Sequence, residues 1–352
     1  MILGDLKFFQ CLGKGTYGEV YMTKKGEIKT PFATKIVHKK ILTNDKLKDS
    51  LKKEIEILIK IKHENIVKLY EVIENKDSFF LRMEFCNGGS LSKCLEKYKE
   101  KYKKPFSEEI VQYLMKQIVT AIKYCHNRNI LHRDIKPDNI LIKFISKEDI
   151  NNINMLKSTV KIIDFGFARY LPESESASTL VGSPAYMDPG MLEKYSKLKK
   201  KEKSKNYTYN EKVDIWSLGV ICYEMIIGAL PFNSNDYEGL LNDEKKGKYS
   251  LPTNLSKELV SFINGMLRYD LNKRLSIDAL YNHEFLNKPY NELNKINEND
   301  KDKIDIEFLK AFDDMNDDFI YIEPLLIPFV PGHDQNVISK ITENYKDYFE
   351  LM

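Results

Sequence analysis

Several things that would set the class of this chain by themselves are scarce in it. Cysteine is sparse: Cys11, Cys86, Cys94, Cys125 and Cys222 are odd in number and scattered, and no two have metal-ligand spacing. That pattern speaks against a disulfide framework or a zinc module, and reduced thiols in the cytosol are the expectation. Neither sign of charge is in excess. Lysine plus arginine number 55 against 52 aspartate plus glutamate, a net +3, so composition makes no case for a nucleic-acid partner. No uninterrupted apolar run is long enough to span a bilayer, so no transmembrane segment is expected. The stretch Met1-Ile2-Leu3-Gly4-Asp5 lacks the basic start and long apolar run of a signal peptide, and Ile2 stands where N-myristoylation needs glycine. The expected location is cytoplasmic.

What is present describes a folded chain. Hydrophobic residues make up 42% and aromatics 11% of 352 residues, enough for two lobes and a tail. Residues 4–86 read as strands with one helix. Leu6–Leu12 and Glu19–Met22 flank a glycine turn, and Phe32–Val37 alternates as a third strand. Leu51, Ile55, Leu58 and Ile59 give a helical period over 47–61, and 66–73 and 79–85 return to strand character. Asn87-Gly88-Gly89-Ser90 reads as a linker. Residues 87–288 then turn helical, with apolar faces over Ile110–His126 and Val213–Ile227. Strands first and helices after predict an α+β fold of two unlike lobes with a cleft between them. Polar residues 145–158 read as a surface insertion, 197–206 as a basic run and 289–304 as a polar linker. The tail 305–352 has amphipathic pieces near 306–312 and 337–349 around an apolar stretch, 319–330.

Four constellations carry chemistry. Gly13-Lys14-Gly15-Thr16-Tyr17-Gly18 allows a turn whose backbone N–H groups approach phosphates closely. A dinucleotide fingerprint would need a helix next, but Glu19-Val20-Tyr21-Met22 reads as a strand. Lys35 lies on the third strand, and Glu54 on the following helix. The run His132-Arg133-Asp134-Ile135-Lys136-Pro137-Asp138-Asn139 packs a candidate base, a cation and a metal-binding amide into one loop. Val160-Lys161-Ile162-Ile163 is an apolar strand ending in Asp164-Phe165-Gly166, a hard oxygen ligand suited to Mg²⁺.

In this order and spacing, the motifs resemble those of eukaryotic protein kinases of the serine/threonine branch over residues 4–288. The resemblance implies a two-lobed kinase fold and a role for each matching position. Asp134 would accept or orient the hydroxyl proton of a protein substrate, and Lys136 would steady the γ-phosphoryl group of ATP. Asn139 and Asp164 would hold Mg²⁺. Lys35 and Glu54 would pair to fix the α- and β-phosphates, under the turn formed by Gly13, Gly15 and Gly18. Glu54 rather than Glu56 follows from its distance to His63-Glu64-Asn65-Ile66-Val67. Leu12, Val20, Ala33 and Leu141 would enclose the adenine, with Glu84 and Cys86, after Met83, at its edge. Leu58, Leu69, His132 and Phe165 match the apolar stack that links the lobes, anchored by Asp214. Lys136 and Ser183 resemble the serine/threonine branch. Arg133 implies activation-loop phosphorylation, with Thr179 at the expected position, by an upstream kinase or by autophosphorylation. Ser174, Ser176 and Ser178 are further candidates.

Within the family, Gly182–Met187 and Trp216–Met225 are similar to the ULK-type and calcium/calmodulin-dependent kinases. One departure stands out. Asp188-Pro189-Gly190 replaces the usual Ala-Pro-Glu, whose glutamate pairs with an arginine, here Arg274. A loosely anchored segment is the expectation, and Gly190→Glu is expected to raise the melting temperature unless Asp188 already satisfies Arg274. Asp138 and Glu224 are candidates for attracting a basic substrate residue, while Ser90 stands where basophilic kinases often carry glutamate. The competing reading is a pseudokinase acting as a scaffold; a dinucleotide-binding enzyme is more distant, because no α/β repeat follows the glycines.

Overall fold

In a computed structural model of the protein, the described residues are 2–3, 6–15, 18–26, 30–165, 169–170, 183–199, 210–234, 236–287, 289 and 321–322. They divide into two compact units. The first holds the described residues up to Lys62, Lys68–Phe85 and the pair Tyr321–Ile322; the second holds His63–Val67 and the rest from Cys86. Thr179, the serines at 174, 176 and 178, most of the basic run and nearly all of the tail lie outside the described residues.

The first unit is built on an antiparallel sheet. Its strands are β1 (Ile2–Leu3), β2 (Leu6–Gly15), β3 (Gly18–Lys25), β4 (Phe32–His38), β5 (Leu69–Glu74) and β6 (Ser78–Glu84), in the order β1-β2-β3-β4-β6-β5. Tyr321–Ile322 adds to β1 in parallel. Alternation sorts the side chains into two clusters. Leu6, Phe8, Ile36, Ile73 and Phe80 form one, with Tyr21 against it. Met22, Ala33 and Phe85 form the other, with Phe9, Leu12 and Val20 against it. The helix α1 (Asp45–Lys60) begins where Asn44 accepts from the Leu47 N–H at 3.0 Å, and it buries Leu51, Ile55 and Leu58.

The strand expected over 66–73 starts only at Leu69. Ile66 bridges to Ile162 instead, and the N–H of Val67 donates to the Ile162 carbonyl at 3.0 Å. These hydrogen bonds satisfy the backbone of His63–Val67 inside the second unit.

The second unit is mainly helical. It contains α2 (Leu91–Tyr102), α3 (Glu108–His126), the short strand β7 (Ile130–Leu131) and the hairpin β8 (Ile140–Phe144) and β9 (Ser158–Ile162). Between β8 and β9 lies α4 (Lys147–Asn152). Further on come β10 (Arg169–Tyr170), α5 (Pro189–Lys199), α6 (Lys212–Ile227), α7 (Tyr237–Lys246), α8 (Lys257–Met266), α9 (Ile277–Tyr281) and α10 (Glu284–Asn287). Ser90, Ser107, Ser146, Asp236, Ser256 and Ser276 cap helix starts. The helix α6 is buried nearly all round, as a central helix must be when its sequence is apolar on every face, and it closes on Gly228 at φ +77°.

The 145–158 segment is more ordered than a polar surface insertion would be. Ser146 caps α4, Asp149 bonds to both Ser146 and Asn154, and Ile153 and Met155 are buried. Its composition hid two apolar anchors inside a polar stretch. The linker reading of 87–90 also gives way to structure: Gly88 N–H donates to the Ile142 carbonyl at 2.8 Å, and Ser90 starts α2. A Cβ on Gly88 would stand 2.6 Å from that same carbonyl oxygen.

Candidate phosphoryl-transfer site

In the first unit, β2 and β3 pair up to the glycine turn, with Gly13 opposite Val20 and Gly15 opposite Gly18. Gly18 has φ +148°, and a Cβ there would lie 1.7 Å from the Ile36 carbonyl oxygen, so only glycine fits. On β4, Lys35 stands opposite Val20 of β3 and Leu81 of β6. Its Nζ reaches Glu54 Oε1 on α1 at 2.7 Å. Helical phase explains the choice of glutamate, because Glu54 shares the inward stripe with Leu51, Ile55 and Leu58 and is buried. Lys35 keeps 15% of its side chain exposed, against 3% for Glu54. Leu12, Val20 and Ala33 pack around one cluster, and Ala33 pairs with Met83 and Phe32 with Glu84.

In the second unit, Asp134 is the hub of a small polar network. Asn139 Nδ2 donates to the Asp134 carbonyl at 2.8 Å and to its Oδ2 at 2.9 Å. Lys136 Nζ lies 2.9 Å from the same Oδ2 and 3.0 Å from Ser183 Oγ. The Ser183 N–H donates to Asp134 Oδ1 at 3.2 Å. Since Asn139 turns its amide nitrogen to Asp134, its amide oxygen is the atom left to meet a hard cation. The loop itself is pinned from below by Asp214 on α6. That carboxylate accepts the His132 N–H at 3.0 Å, the Arg133 N–H at 2.8 Å and a bond with His126 Nε2 at 2.8 Å. Burial works to push the Asp214 carboxyl up, but His126, His132 and the Arg133 N–H together hold it below the usual carboxylate range.

His132 bridges this loop to the Asp164 strand end. Its Nδ1 accepts from the Asp134 N–H at 3.3 Å, which leaves the proton on Nε2 to donate to the Ile163 carbonyl at 2.9 Å. The ring meets Phe165 edge-on at 4.9 Å between centroids. Arg133 and Asp164 both adopt left-handed backbone, at φ +66° and +64°. Two non-glycine residues in that region within one site amount to stored strain, which the Asp214 and Asn139 bonds hold in place. Leu141, on β8, pairs with Lys161 and bridges to Ser90; Cys86 is buried at the start of the unit. Gly166 lies outside the described residues.

Three further polar residues belong to this region. Ser183 joins the network through both its N–H and its hydroxyl. His126 supports Asp214 from the end of α3. Tyr186 donates its hydroxyl to Glu224 Oε2 at 2.8 Å. Burial pushes the Glu224 carboxyl up, the Tyr186 bond opposes that, and Asp138 adds to it.

The segment after Tyr186 is anchored, contrary to the expectation drawn from Gly190. Asp188 Oδ1 accepts the N–H groups of Gly190 at 2.9 Å and Met191 at 3.3 Å, capping α5. Its Oδ2 takes Arg274 Nη1 at 2.6 Å, and both side chains are buried. The acid moved two residues toward the N-terminus and found the same arginine. Among the described residues no group of three or more His, Cys, Asp or Glu is placed to hold a metal, and no helix is long and apolar enough to cross a membrane. Any cation here would rest on few protein oxygens plus those of its substrate, the usual manner of Mg²⁺.

Residues 6–286 match the family model described as protein kinase domain. The chain is 35% identical over 295 residues to the serine/threonine-protein kinase atg1 of Dictyostelium discoideum, covering 82% of this chain and 40% of that protein. It is 36% identical over 284 residues to calcium-dependent protein kinase 5 of Plasmodium berghei, covering 79% and 45%. Against the serine/threonine-protein kinase ATG1 of Pichia angusta the identity is 32% over 309 residues, covering 80% and 37%. The chain thus spans less than half the length of these relatives, and it resembles both the ATG1 and the calcium-dependent kinds.

Proposed function

We propose, from the fact that the chain belongs to the serine/threonine protein kinase family, that it transfers the γ-phosphoryl group of ATP to serine and threonine hydroxyls of proteins. The observation that carries this reading is the network at Asp134. A buried carboxylate held by Asn139, Lys136 and the Ser183 N–H is oriented before any substrate arrives. Asp134 orients the attacking hydroxyl and takes its proton. Lys136, within reach of the same carboxylate, balances charge on the transferred group. Lys35, fixed by Glu54, binds the α- and β-phosphates under the turn at Gly13, Gly15 and Gly18. Leu12, Val20, Ala33 and Leu141 hold the adenine, with Glu84 and Cys86, after Met83, meeting its edge through backbone groups. Asn139 and Asp164 are the residues that would hold Mg²⁺, whose charge, when bound, offsets that of the phosphates. Thr179 is the proposed phosphorylation site of the activation segment, set by an upstream kinase or by the protein itself.

After burial, the nearby Asp138 charge also raises the Glu224 carboxyl. Asp138 and Glu224 are the acids that a basic substrate residue would meet. The test of the whole reading is Mg²⁺-dependent ATP turnover on a serine/threonine peptide array, with Asp134→Asn as control. Turnover lost in the variant supports it. Equal, background-level signal in both proteins would replace it with the scaffold reading.

A further inference from the structure

The sheet of the first unit has two faces, and α1 accounts for the cover of one. Lys35 reaches Glu54, so α1 lies on the face that carries Lys35. Among the described residues it is the only α-helix of that unit. Alternation sends Ile36 to the opposite face. There Ile36 pairs with Phe80 and Phe80 with Ile73, and Leu6 and Phe8 of β2 complete the cluster.

A side chain standing on an open sheet face keeps its outer end in water. None of these five apolar residues is more than 5% exposed. The polar groups of the same face are sealed as well. Thr23 and Thr34 are both 0% exposed, and their hydroxyls bond each other at 2.7 Å. The buried Glu71 accepts from Lys25 Nζ at 2.9 Å and from Arg82 Nε at 2.7 Å. Polar groups that find each other in this way belong to a face from which water is excluded. A second layer must therefore lie over it, and α1 is on the other side.

The pairing at the sheet edge and the sequence after it say what that layer is. Tyr321 lies opposite Ile2 and Ile322 opposite Leu3, so the tail arrives at the edge next to β2, the strand that carries Leu6 and Phe8. Beyond Ile322 the sequence places Ile338, Ile341, Tyr345 and Tyr348 on one helical stripe, with Lys340, Glu343 and Lys346 off it. As a helix, residues 337–349 would be about 20 Å long. The five strands from β2 to β5 span about 19 Å. Residues 306–312 would reach only about 10 Å as a helix. The link 323–336 extends to about 46 Å, ample to bring 337–349 onto the face.

We propose that residues 337–349 form a helix lying across this face, tethered through the Tyr321–Ile322 strand. The tail is then a layer of the first unit, on the side away from Lys35. It stabilises the sheet and does not enter the phosphate site.

The experiment places a photoreactive p-benzoylphenylalanine at Tyr345 of the full chain. The protein is irradiated with an equal amount of ¹⁵N-labelled unsubstituted chain, and the crosslinked peptides are mapped. Crosslinks to peptides carrying Phe8, Ile36 or Phe80 of the same chain are expected. Crosslinks to ¹⁵N peptides would give the face to a second copy. Crosslinks confined to residues 86–287, or none at all, would place the tail elsewhere. Each of these outcomes overturns the proposal. Ile341→Asp should also shift the urea midpoint of unfolding downward, whereas Lys346→Asp, off the apolar stripe, should leave it in place. An unshifted midpoint in Ile341→Asp would overturn the proposal too. Should that variant not fold, the crosslink map decides alone.

Discussion

Lys35 and Glu54 lie 2.7 Å apart in the first unit, and Arg274 and Asp188 lie 2.6 Å apart in the second. The geometry is nearly the same, yet the surroundings differ. Lys35 keeps 15% of its side chain in solvent, whereas Arg274 keeps none. A pair whose cation keeps some solvent contact costs less desolvation than a fully sealed one. A sealed pair has no access to a solvent-borne anion, so its value lies in holding elements together. Two pairs of nearly equal length thus differ in burial, and the proposed phosphate-binding role falls to the one that keeps some exposure.

Removing each cation sharpens that difference. Arg274→Met strands Asp188 and leaves the Lys212 and Arg268 carbonyls without this donor. A loss of about 3–5 kcal/mol in unfolding free energy is expected, the range for breaking a buried pair. Calorimetry or urea titration reads it, and a loss below about 1 kcal/mol would end the contrast. Lys35→Met should instead lower peptide phosphorylation by roughly 10²–10³-fold, the usual effect of removing one charge-stabilising donor. Its stability should fall by less than that of Arg274→Met, because Lys35 keeps 15% of its side chain exposed where Arg274 keeps none.

The part of this contrast visible in the sequence is the part set by short-range pattern. Lys35 follows from strand alternation, Glu54 from helix phase, and Asp134, Lys136 and Asn139 from one contiguous loop. The antiparallel sheet and the long helices α1, α3 and α6 follow from period as well. What sequence spacing does not carry is the support across long separations. His126 reaches Asp214 88 residues away, and the Ser183 N–H reaches Asp134 49 residues away. Only the packing of α3 against α6 and the return of the chain at 183 create those bonds. Glu244, buried on α7, had a signal, an acid four residues after Leu240 on one helix face, but a charged residue on a short helix reads as solvated until its burial is seen. The insertion at 145–158 misled for the opposite reason: two buried apolar residues were outvoted by polar neighbours.

A smaller effect separates support from chemistry inside the second unit. Tyr186→Phe removes the one side-chain hydrogen bond seen among the described residues to the half-buried Glu224 carboxylate, a loss of about 1 kcal/mol. The Glu224 carboxyl, already raised, should rise further, because the hydroxyl favours its ionised form. Stability of the variant should therefore fall faster than that of the parent as pH climbs above 4.5, the ordinary glutamate value. Parallel pH profiles would mean that Glu224 is satisfied by other groups.

The smallest expected change comes from restoring the acid that the family pattern carries. Gly190→Glu was expected to stabilise on sequence grounds, because Arg274 then seemed unpaired. With Asp188 on Nη1, an added carboxyl meets like charge rather than a vacant cation. Gly190 also lies in the first turn of α5, where its N–H already binds Asp188 Oδ1 at 2.9 Å. A glutamate there gains a little helix propensity and favourable dipole, about 0.5–1 kcal/mol, against a similar cost of crowding Asp188. The net shift should lie within about 0.5 kcal/mol of zero. Thermal melts of the two proteins measure the difference, and a gain above about 1 kcal/mol would show that Asp188 does not satisfy Arg274.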